Sequence, residues 1–228
     1  MMANSKNPGV GKLITLEGGE GAGKSTVLAA VRELLAARGI DPVVTREPGG
    51  TPAGEAMRGV LLDPALRGMS AESELLLMFA SRAQLVREVV QPALAAGRWV
   101  LADRFTDASF AYQGGGRGQP LERIAELERW AAAGLKPDLT LLLDLPVADG
   151  LKRASGRGAA DRIEMENADF FERVRAAYRA RASSEPQRFR IIDASRTLQD
   201  VIEQVRTTVA TFVDQVERAQ VLPAGAAR

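Results

Sequence analysis

Short apolar runs alternate along the chain with longer segments in which apolar residues recur at the spacing of an amphipathic helix. Five of these runs have the length of a strand, and they lie at residues 12–17, 41–46, 98–103, 138–145 and 188–193. The segments between successive runs are long enough for crossover helices, which cover both faces of a parallel sheet. The pattern therefore predicts an α/β protein with a five-stranded parallel sheet flanked by helices.

The first helix and the chain ends complete the predicted outline. Residues 24–38 carry apolar side chains on one helical face, and Gly39 follows as the residue expected to end the helix. We predict a flexible N-terminus over residues 1–11, a single domain over residues 12–213 and a C-terminal tail over residues 214–228. The end of that tail is rich in alanine, with proline and glycine, which is typical of a frayed terminus.

The composition excludes several kinds of chemistry. The 228 residues contain neither cysteine nor histidine, which rules out disulfides, thiol nucleophiles, cysteine-ligated metals and acid–base catalysis by histidine. The 30 basic and 29 acidic residues nearly cancel, which argues against a nucleic acid as the main partner. No apolar run reaches membrane-spanning length, and the first residues lack the core of a secretory signal. We therefore expect a cytoplasmic protein with no membrane partner.

One stretch after the first predicted strand points to phosphate binding. Residues 18–25 fit the pattern G-x-x-x-x-G-K-[ST] between a strand and a helix, which is the context that this pattern requires. Backbone N–H groups of such a loop surround phosphates, its lysine reaches the β and γ phosphates, and its hydroxyl ligates Mg²⁺. A glycine-rich turn that binds nothing is the alternative. The predicted cradle comprises Gly18, Gly19, Glu20, Gly21, Ala22, Gly23, Lys24, Ser25 and Thr26, with Ser25 as a metal ligand.

A second metal-organising acid is expected at the carboxyl edge of the sheet, where ligands bind in such folds. Asp103 ends the third predicted strand, and Asp144 ends the fourth. We favour Asp103 because Arg104 follows it and offers a planar guanidinium group for a second phosphate. A role in capping the next helix is the alternative for Asp103.

The helix predicted from about residue 71 to residue 95 contains an arginine, Arg82, within its apolar stripe. Phe79 lies three residues earlier on the same face, so a flat ring and several hydrogen-bond donors are presented together. This pair would suit a planar base that carries a carbonyl group. Alternatively, Phe79 belongs to the core and Arg82 to a buried ion pair.

Polar groups also converge in the segment after Arg104. Ser109, Tyr112 and Gln113 share one helical face, and the three glycines that follow them are expected to end the helix. Such a face would suit a bound ligand. A solvated helix face with a flexible end is the alternative.

A basic, glycine-containing segment at residues 152–164 is predicted to form a mobile lid. It carries arginines at positions 153, 157 and 162. Phosphoryl transfer needs positive charge over the transferred group and exclusion of water, and a closing arginine-bearing loop supplies both. Because position 20 in the cradle is glutamate, the cradle has no arginine of its own, and the lid is expected to provide it. A charged surface loop is the alternative.

These segments together resemble the thymidylate kinases, in the bacterial type whose catalytic arginine lies in the lid. The resemblance covers about residues 12–213 and is carried by "EGGEGAGKST", "TREPGGT" at 45–51, "ELLLMFASRAQLV" at 74–86, "DRFTDASFAYQGGGR" at 103–117 and "DRIE" at 161–164. The first motif is generic, whereas "REPGGT" and "AYQGGGR" are specific to the family. The resemblance implies a P-loop NTPase fold, a nucleoside monophosphate kinase domain with a short lid, and a homodimer.

The resemblance also implies an activity and a set of site residues. The implied reaction transfers the γ-phosphoryl group of MgATP to dTMP and yields dTDP and ADP. The implied catalytic residues are Lys24, Glu20, Asp103, Arg104, Arg153 and Arg157, with Asp103 and Ser25 at the metal. The implied substrate-binding residues are Arg46, Phe79, Arg82, Arg104, Ser109, Tyr112 and Gln113.

Three of these roles are specific to the acceptor: Phe79 would stack on thymine, Arg82 would bond to its O4 atom, and Tyr112 would favour deoxyribose. Another nucleotide kinase and a GTP-binding switch remain alternatives. The chain contains no Asn-Lys-x-Asp segment that would read guanine, which argues against the switch.

Overall fold

The structure, a computed structural model, describes residues 10–156 and 159–221. All five predicted strands are present: β1 (Leu13–Gly18), β2 (Val43–Arg46), β3 (Val100–Asp103), β4 (Leu139–Asp144) and β5 (Phe189–Asp193). They form one sheet in the order β2-β3-β1-β4-β5, and every pairing is parallel. The predicted α/β architecture is confirmed.

The register of the sheet gathers several strand ends at one edge. Leu16 of β1 and Arg46 of β2 both align with Asp103, the last residue of β3. Parallel strands share the edge at which they end, so the loops that follow β1, β2 and β3 emerge side by side. The edge therefore holds the candidate phosphate cradle next to Asp103.

The helices of the described residues follow the predicted alternation with the strands. They are α1 (Lys24–Ala37), α2 (Pro52–Leu62), α3 (Ala71–Leu85), α4 (Gln91–Ala95), α5 (Thr106–Ser109), α6 (Leu121–Ala131), α7 (Val147–Ala154), α8 (Ala168–Ser184) and α9 (Leu198–Val221). A short 3₁₀ turn covers Pro64–Leu66, and π-helical turns cover Val86–Val90 and Phe110–Gly116. Within the described ranges, no helix combines the length and apolar character that a membrane crossing requires.

The long helix predicted at residues 71–95 is confirmed as one helical stretch with an internal change of hydrogen bonding. The α3 helix passes through the π-helical turn Val86–Val90 into α4. Pro92 lies just after this turn. Proline has no backbone N–H and its ring crowds the carbonyl group four residues earlier, so the regular α-helical ladder is interrupted there.

Helices cover both faces of the sheet. On one face, Leu16 of β1 and Leu141 of β4 are fully buried and belong to a core shared with α1 and with Val209 of α9. On the other face, Leu142 packs in a cluster with Phe170 of α8. The α9 helix continues to Val221, so the first part of the predicted tail is helical because residues such as Val216 pack against the core.

A buried ion cluster joins α5, α8 and the strand β5. The Asp107 carboxylate is fully buried and accepts hydrogen bonds from Arg188 at 2.7 and 2.9 Å and from Arg181 at 3.0 Å. Arg188 also donates to the Thr140 hydroxyl of β4 at 2.8 Å. Glu185 pairs with both arginines at 2.8 Å, so the two acids and the two arginines neutralise one another.

Removal of the Asp107 carboxylate should strongly destabilise the fold. We expect Asp107→Ala to lower the free energy of unfolding by about 3–5 kcal/mol, because two arginines near the core would lose their buried partner and keep only Glu185. Urea unfolding followed by circular dichroism measures the change. Asp214→Ala is the matched control, since Asp214 pairs with Arg38 at the surface, and it should change stability little. Equal effects of the two substitutions would contradict this account.

Candidate active site

The cradle residues occupy the turn between β1 and α1, as predicted. Gly21 and Gly23 have positive φ angles of 70° and 89°, which glycine adopts without strain. A Cβ atom on Gly21 would lie 2.1 Å from the carbonyl oxygen of Gly150, so no larger residue fits there. The Lys24 ammonium group lies inside the loop and donates to the carbonyl oxygens of Gly18 and Gly19 at 3.1 and 2.9 Å. The loop has the conformation that phosphate binding requires.

A cavity of about 300 Å³ opens beside this loop. Its lining includes a polar part made of Lys24, Ser25, Asp103 and Arg104, together with Glu20. We call the remaining apolar side chains, with Tyr112 and Gln113, the apolar chamber; they are Pro48, Leu62, Met78, Ala108 and Ile163. The charged residues Arg46, Glu47, Arg58, Asp161 and Glu164 complete the lining. The cavity therefore offers charged groups for phosphates and apolar surface for a flat ring.

Of the two candidate acids, Asp103 is the one with an oxygen available. Asp103 lines the cavity together with Ser25, and its Oδ1 atom is buried with no hydrogen-bond partner in the described part of the chain. Asp144 instead accepts two hydrogen bonds from Arg175, at 2.7 and 3.0 Å. Hydroxyl and carboxylate oxygens are ligands that suit Mg²⁺, which otherwise takes its oxygens from water and phosphates. The donor set of Ser25 and Asp103 therefore fits this ion.

Within the described residues, no three acidic side chains are grouped so that they could hold a metal by themselves. Mg²⁺ at phosphoryl-transfer sites uses one or two protein oxygens and completes its shell with phosphates and water. A site of this kind would form only together with a nucleotide.

Arg104 is fixed at the polar end by three partners. Its guanidinium group donates to Glu20 at 2.8 Å, to the Tyr112 hydroxyl at 2.9 Å and to the Tyr178 hydroxyl at 3.1 Å. The backbone of Arg104 has a φ angle of 70°, which is unusual for a residue with a side chain. Such strain persists only where the surroundings impose it. The side chain is thus held in one direction, toward the cavity.

Tyr178 and Glu17 belong to the site although the sequence analysis missed them. The Tyr178 hydroxyl donates to the Glu17 carboxylate at 2.7 Å, and the Phe105 backbone N–H donates to the same carboxylate at 2.7 Å. Burial, and next the charge of Asp107, raise the pKa of Glu17 to about 8. In the sequence, the local feature that could have indicated this role is the acidic residue Glu17 inside the first apolar run.

The predicted pair Phe79 and Arg82 is present, and both side chains are buried beneath the cavity wall. The Arg82 guanidinium group lies 4.5 Å from the centre of the Phe79 ring and donates to Glu47 at 2.7 Å and to Ser109 at 3.0 Å. The buried ion pair that was the alternative for Arg82 is therefore observed. The role of the two residues toward a base stays a prediction.

The polar face of the segment after Arg104 is directed into the protein. Ser109 and Gln113 are fully buried and Tyr112 is 5% exposed, so the alternative of a solvated face is wrong. The three glycines end the helical stretch as expected, since the π-helical turn that contains them finishes at Gly116. A Cβ atom on Gly116 would lie 2.4 Å from the Phe170 ring. These glycines allow α8 to approach closely.

The arginines of the predicted lid segment have different surroundings. Arg153 is exposed on α7 and donates to the Ala194 carbonyl at 3.1 Å, outside the residues that line the cavity. Arg157 lies outside the described residues. Arg162 is buried, and its Nε atom donates to the Leu61 carbonyl at 2.7 Å. Arg162 is therefore directed into the domain and not over the cradle.

Two further arginines, one at the end of β2 and one on α2, line the same cavity. Arg46, which was predicted, is exposed and donates to Glu55 at 2.9 Å. Arg58 was missed, and it donates to the Pro48 carbonyl at 3.0 Å. Burial, followed by repulsion from Arg46, lowers the pKa of Arg58 below its ordinary value. Both cations add to the positive charge of the cavity lining.

The parallel sheet, the glycine loop and the acid at the end of β3 define a protein of the P-loop phosphotransferase class. The family model for thymidylate kinase matches residues 16–205. The chain is 56% identical to the thymidylate kinase of Halorhodospira halophila over 205 residues, which are 89% of this chain and 95% of that protein. It is also 56% identical to that of Ectopseudomonas mendocina, with 90% and 97% covered, and 55% identical to that of Chromobacterium violaceum, with 84% and 90% covered. The chain belongs to the thymidylate kinase family.

The ionisation of Lys24 should make nucleotide binding depend on pH. Burial, and next the charge of Arg104, lower the pKa of Lys24 to about 8. Bound phosphates favour the charged form, so above pH 8 binding must take up a proton, and ATP affinity should fall by up to about tenfold per pH unit. Below pH 8 the lysine is already charged and affinity should be flat. Titration calorimetry at pH 9, in two buffers of different ionisation enthalpy, measures the proton uptake.

The matched variant for this measurement is Lys24→Arg, because a guanidinium group stays charged throughout the range. We expect its ATP affinity to be independent of pH between 7 and 9, whatever its absolute value. Proton uptake of equal size in both proteins would assign the effect to another group.

Proposed function

We propose that this protein transfers the γ-phosphoryl group of MgATP to the 5′ phosphate of dTMP and releases dTDP and ADP, a step toward dTTP. The observation that carries the proposal is the cavity that joins the cradle, Asp103 and Arg104 at one end to an apolar chamber with buried polar groups at the other. Membership of the thymidylate kinase family supports the same substrates. Because dTMP and ATP are cytoplasmic metabolites, we propose that the enzyme acts in the cytoplasm.

The residues at the polar end suit an in-line transfer without a covalent intermediate. Ser25 and Asp103 would hold Mg²⁺, which neutralises charge on the nucleotide phosphates when it is bound. Lys24 lies where it can bind the β and γ phosphates, and Arg104 would bind the acceptor phosphate. An ionised phosphate oxygen is already a nucleophile, so these groups act mainly through positioning and charge stabilisation.

The remaining predicted residues complete this proposal. Glu20 fixes Arg104 and the Tyr112 hydroxyl, to which its carboxylate is bonded at 2.8 and 2.7 Å. Arg153 and Arg157 would provide the positive charge of the lid over the transferred group, which requires Arg153 to leave the Ala194 carbonyl. Arg46 would lie along the acceptor groove.

At the apolar end, Phe79 and Arg82 would bind the thymine ring and its O4 atom. Arg82 has five N–H donors, and its contacts with Glu47, Ser109 and the Phe105 carbonyl account for four of them within the described residues. Ser109 accepts from Arg82, and Gln113 lines the cavity; both would lie near the base. Tyr112 would contact the deoxyribose.

The substrate assignment is tested by measuring ADP production from MgATP with dTMP, UMP, dCMP, GMP and AMP. We expect a strong preference for dTMP, and we expect Arg82→Met to lower kcat/KM for dTMP by about 100-fold, because a charged hydrogen bond to the base is lost. Arg87→Met is the control on the same helical stretch. Within the described residues, the Arg87 side chain donates a hydrogen bond to Gln91 alone.

The outcomes separate the parts of this assignment. Greater activity with another acceptor would overturn the substrate while leaving the P-loop chemistry intact. A folded Arg82→Met variant that keeps the wild-type preference would show that Arg82 serves only the ion pair with Glu47. Thermal unfolding of both variants establishes that they are folded.

We also propose that the protein is a homodimer that pairs through α3 and α6. Leu76 of α3 and Trp130 of α6 are 59% and 75% exposed, and they line one groove. The groove also carries Glu72, Glu126 and Arg123, so charges of both signs accompany the apolar centre. A two-fold interface pairs a patch with its own copy, which such a mixed surface permits.

The dimer is tested by analytical ultracentrifugation at micromolar concentration. We expect the wild type to sediment as a dimer and Trp130→Glu to sediment as a monomer, because the substitution would bury like charges against each other at the two-fold axis. Leu198→Glu is the control, as Leu198 is 62% exposed at the start of α9, and it should stay dimeric. A monomeric wild type, or a dimeric Trp130→Glu variant, would refute this interface.

A further inference from the structure

The side chain of Gln113 lies on the wall of the apolar chamber in an asymmetric environment. Its Nε2 atom donates to the Glu74 carboxylate at 2.9 Å, whereas its Oε1 atom is buried and has no hydrogen-bond partner among the described residues. Gln113 is fully buried and Glu74 is 1% exposed, so bulk water does not satisfy either group. A buried acceptor of this kind costs free energy unless a ligand completes it. The free oxygen is therefore the part of Gln113 that a ligand can use.

Glu74 determines which end of the amide is free. Although burial raises it, hydrogen bonds from Gln113 and Arg117 hold the pKa of Glu74 below its ordinary value. The carboxylate is then ionised at neutral pH and can only accept hydrogen bonds. If the amide rotated by half a turn, its oxygen would face a carboxylate oxygen and both would lose their partner. The orientation with Nε2 toward Glu74 is thus enforced by charge.

The carboxylate itself is held by two arginines. The NH2 atoms of Arg162 and Arg117 lie 2.8 and 3.0 Å from the Oε2 atom of Glu74, and Arg117 also pairs with Glu166. Arg162 is in turn fixed by its hydrogen bond to the Leu61 carbonyl at 2.7 Å. The Nε atom of Arg117 donates to both carboxylate oxygens, at 3.3 Å to Oε1 and at 3.2 Å to Oε2. The arginines therefore fix the plane of the carboxylate, and Oε1 is the oxygen that accepts from Gln113. Glu74 therefore has one orientation as well.

We propose that Glu74 is a positioning residue for base selection, because its hydrogen bond with Nε2 makes the Oε1 atom the part of the Gln113 amide that is offered to a ligand. This inference rests on the proposed function and deepens it. A thymine ring carries an N–H group at N3, which can donate to the free Oε1 atom. A cytosine ring has a bare acceptor at N3, which would face that oxygen with no proton between them. Glu74 thus contributes to discrimination without touching the substrate.

The substitution Glu74→Gln tests this role. A neutral amide at position 74 can donate as well as accept, so the Gln113 amide would be free to rotate. We expect the ratio of kcat/KM for dTMP to that for dCMP to fall by about tenfold, mainly through KM for the acceptor, while KM for ATP stays constant. A merely structural role would lower stability and impair both substrates without changing this ratio.

Two further variants separate positioning from charge and folding. Glu166→Gln removes the other carboxylate partner of Arg117 but does not contact Gln113, so the ratio should keep its wild-type value. Glu74→Asp keeps the negative charge for both arginines but withdraws the oxygen from Gln113, so the ratio should fall. The Asp variant decides the question if Glu74→Gln does not fold.

A double-mutant cycle completes the test. In a Gln113→Ala background, which has no amide to orient, Glu74→Gln or Glu74→Asp should cause no further loss of selectivity. If both Glu74 variants are folded and keep the wild-type ratio, the inference is overturned and the proposed function stands. A wild type that does not prefer dTMP to dCMP overturns the proposed function, and this inference with it.

Discussion

A carboxylate buried under the edge of the sheet organises the polar end of the site. Glu17, the fifth residue of β1, receives the Phe105 backbone N–H and the Tyr178 hydroxyl, and Tyr178 in turn accepts from Arg104. The chain just after β3 is thereby fixed to β1 from below, while the Arg104 N–H continues the ladder by bonding to Leu16 at 2.9 Å. Desolvation of a carboxylate is costly, and its hydrogen bonds offset only part of that cost. These contacts hold the Arg104 side chain in one orientation.

Much of the fold could be predicted because its signals are local. Apolar runs of strand length gave the five strands, and the glycine loop between β1 and α1 has a spacing that depends on backbone geometry alone. The preference for Asp103 over Asp144 also followed from neighbouring residues, since Arg104 adjoins only the first. The position of Asp144 in a pair with Arg175 depends on the packing of α8 against β4, for which the sequence has no short-range signal.

The features that could not be predicted arise from contacts between distant elements. Tyr178 is one apolar position among several on α8, and its hydroxyl becomes important only because β1 places Glu17 within 2.7 Å. Gly116 ends its helical stretch as its intrinsic preference suggests, but its close packing against Phe170 depends on the position of α8. Both features depend on contacts between elements that are distant in the chain. Arg162 likewise looked like a lid residue, but a buried acid 88 residues earlier in the chain, Glu74, draws it inward.

The acids paired with buried arginines explain how a chain without histidine can build a selective site. Arg82, Arg162 and Arg188 are each matched by an acid from another element, respectively Glu47, Glu74 and Asp107. Each pair cancels its charge, and the directional hydrogen bonds that remain fix the orientation of neighbouring polar groups such as Ser109 and Gln113. Lys24 at the cradle and Glu17 beneath it have pKa values of about 8. These two groups titrate close to neutrality, and both lie at the polar end of the site.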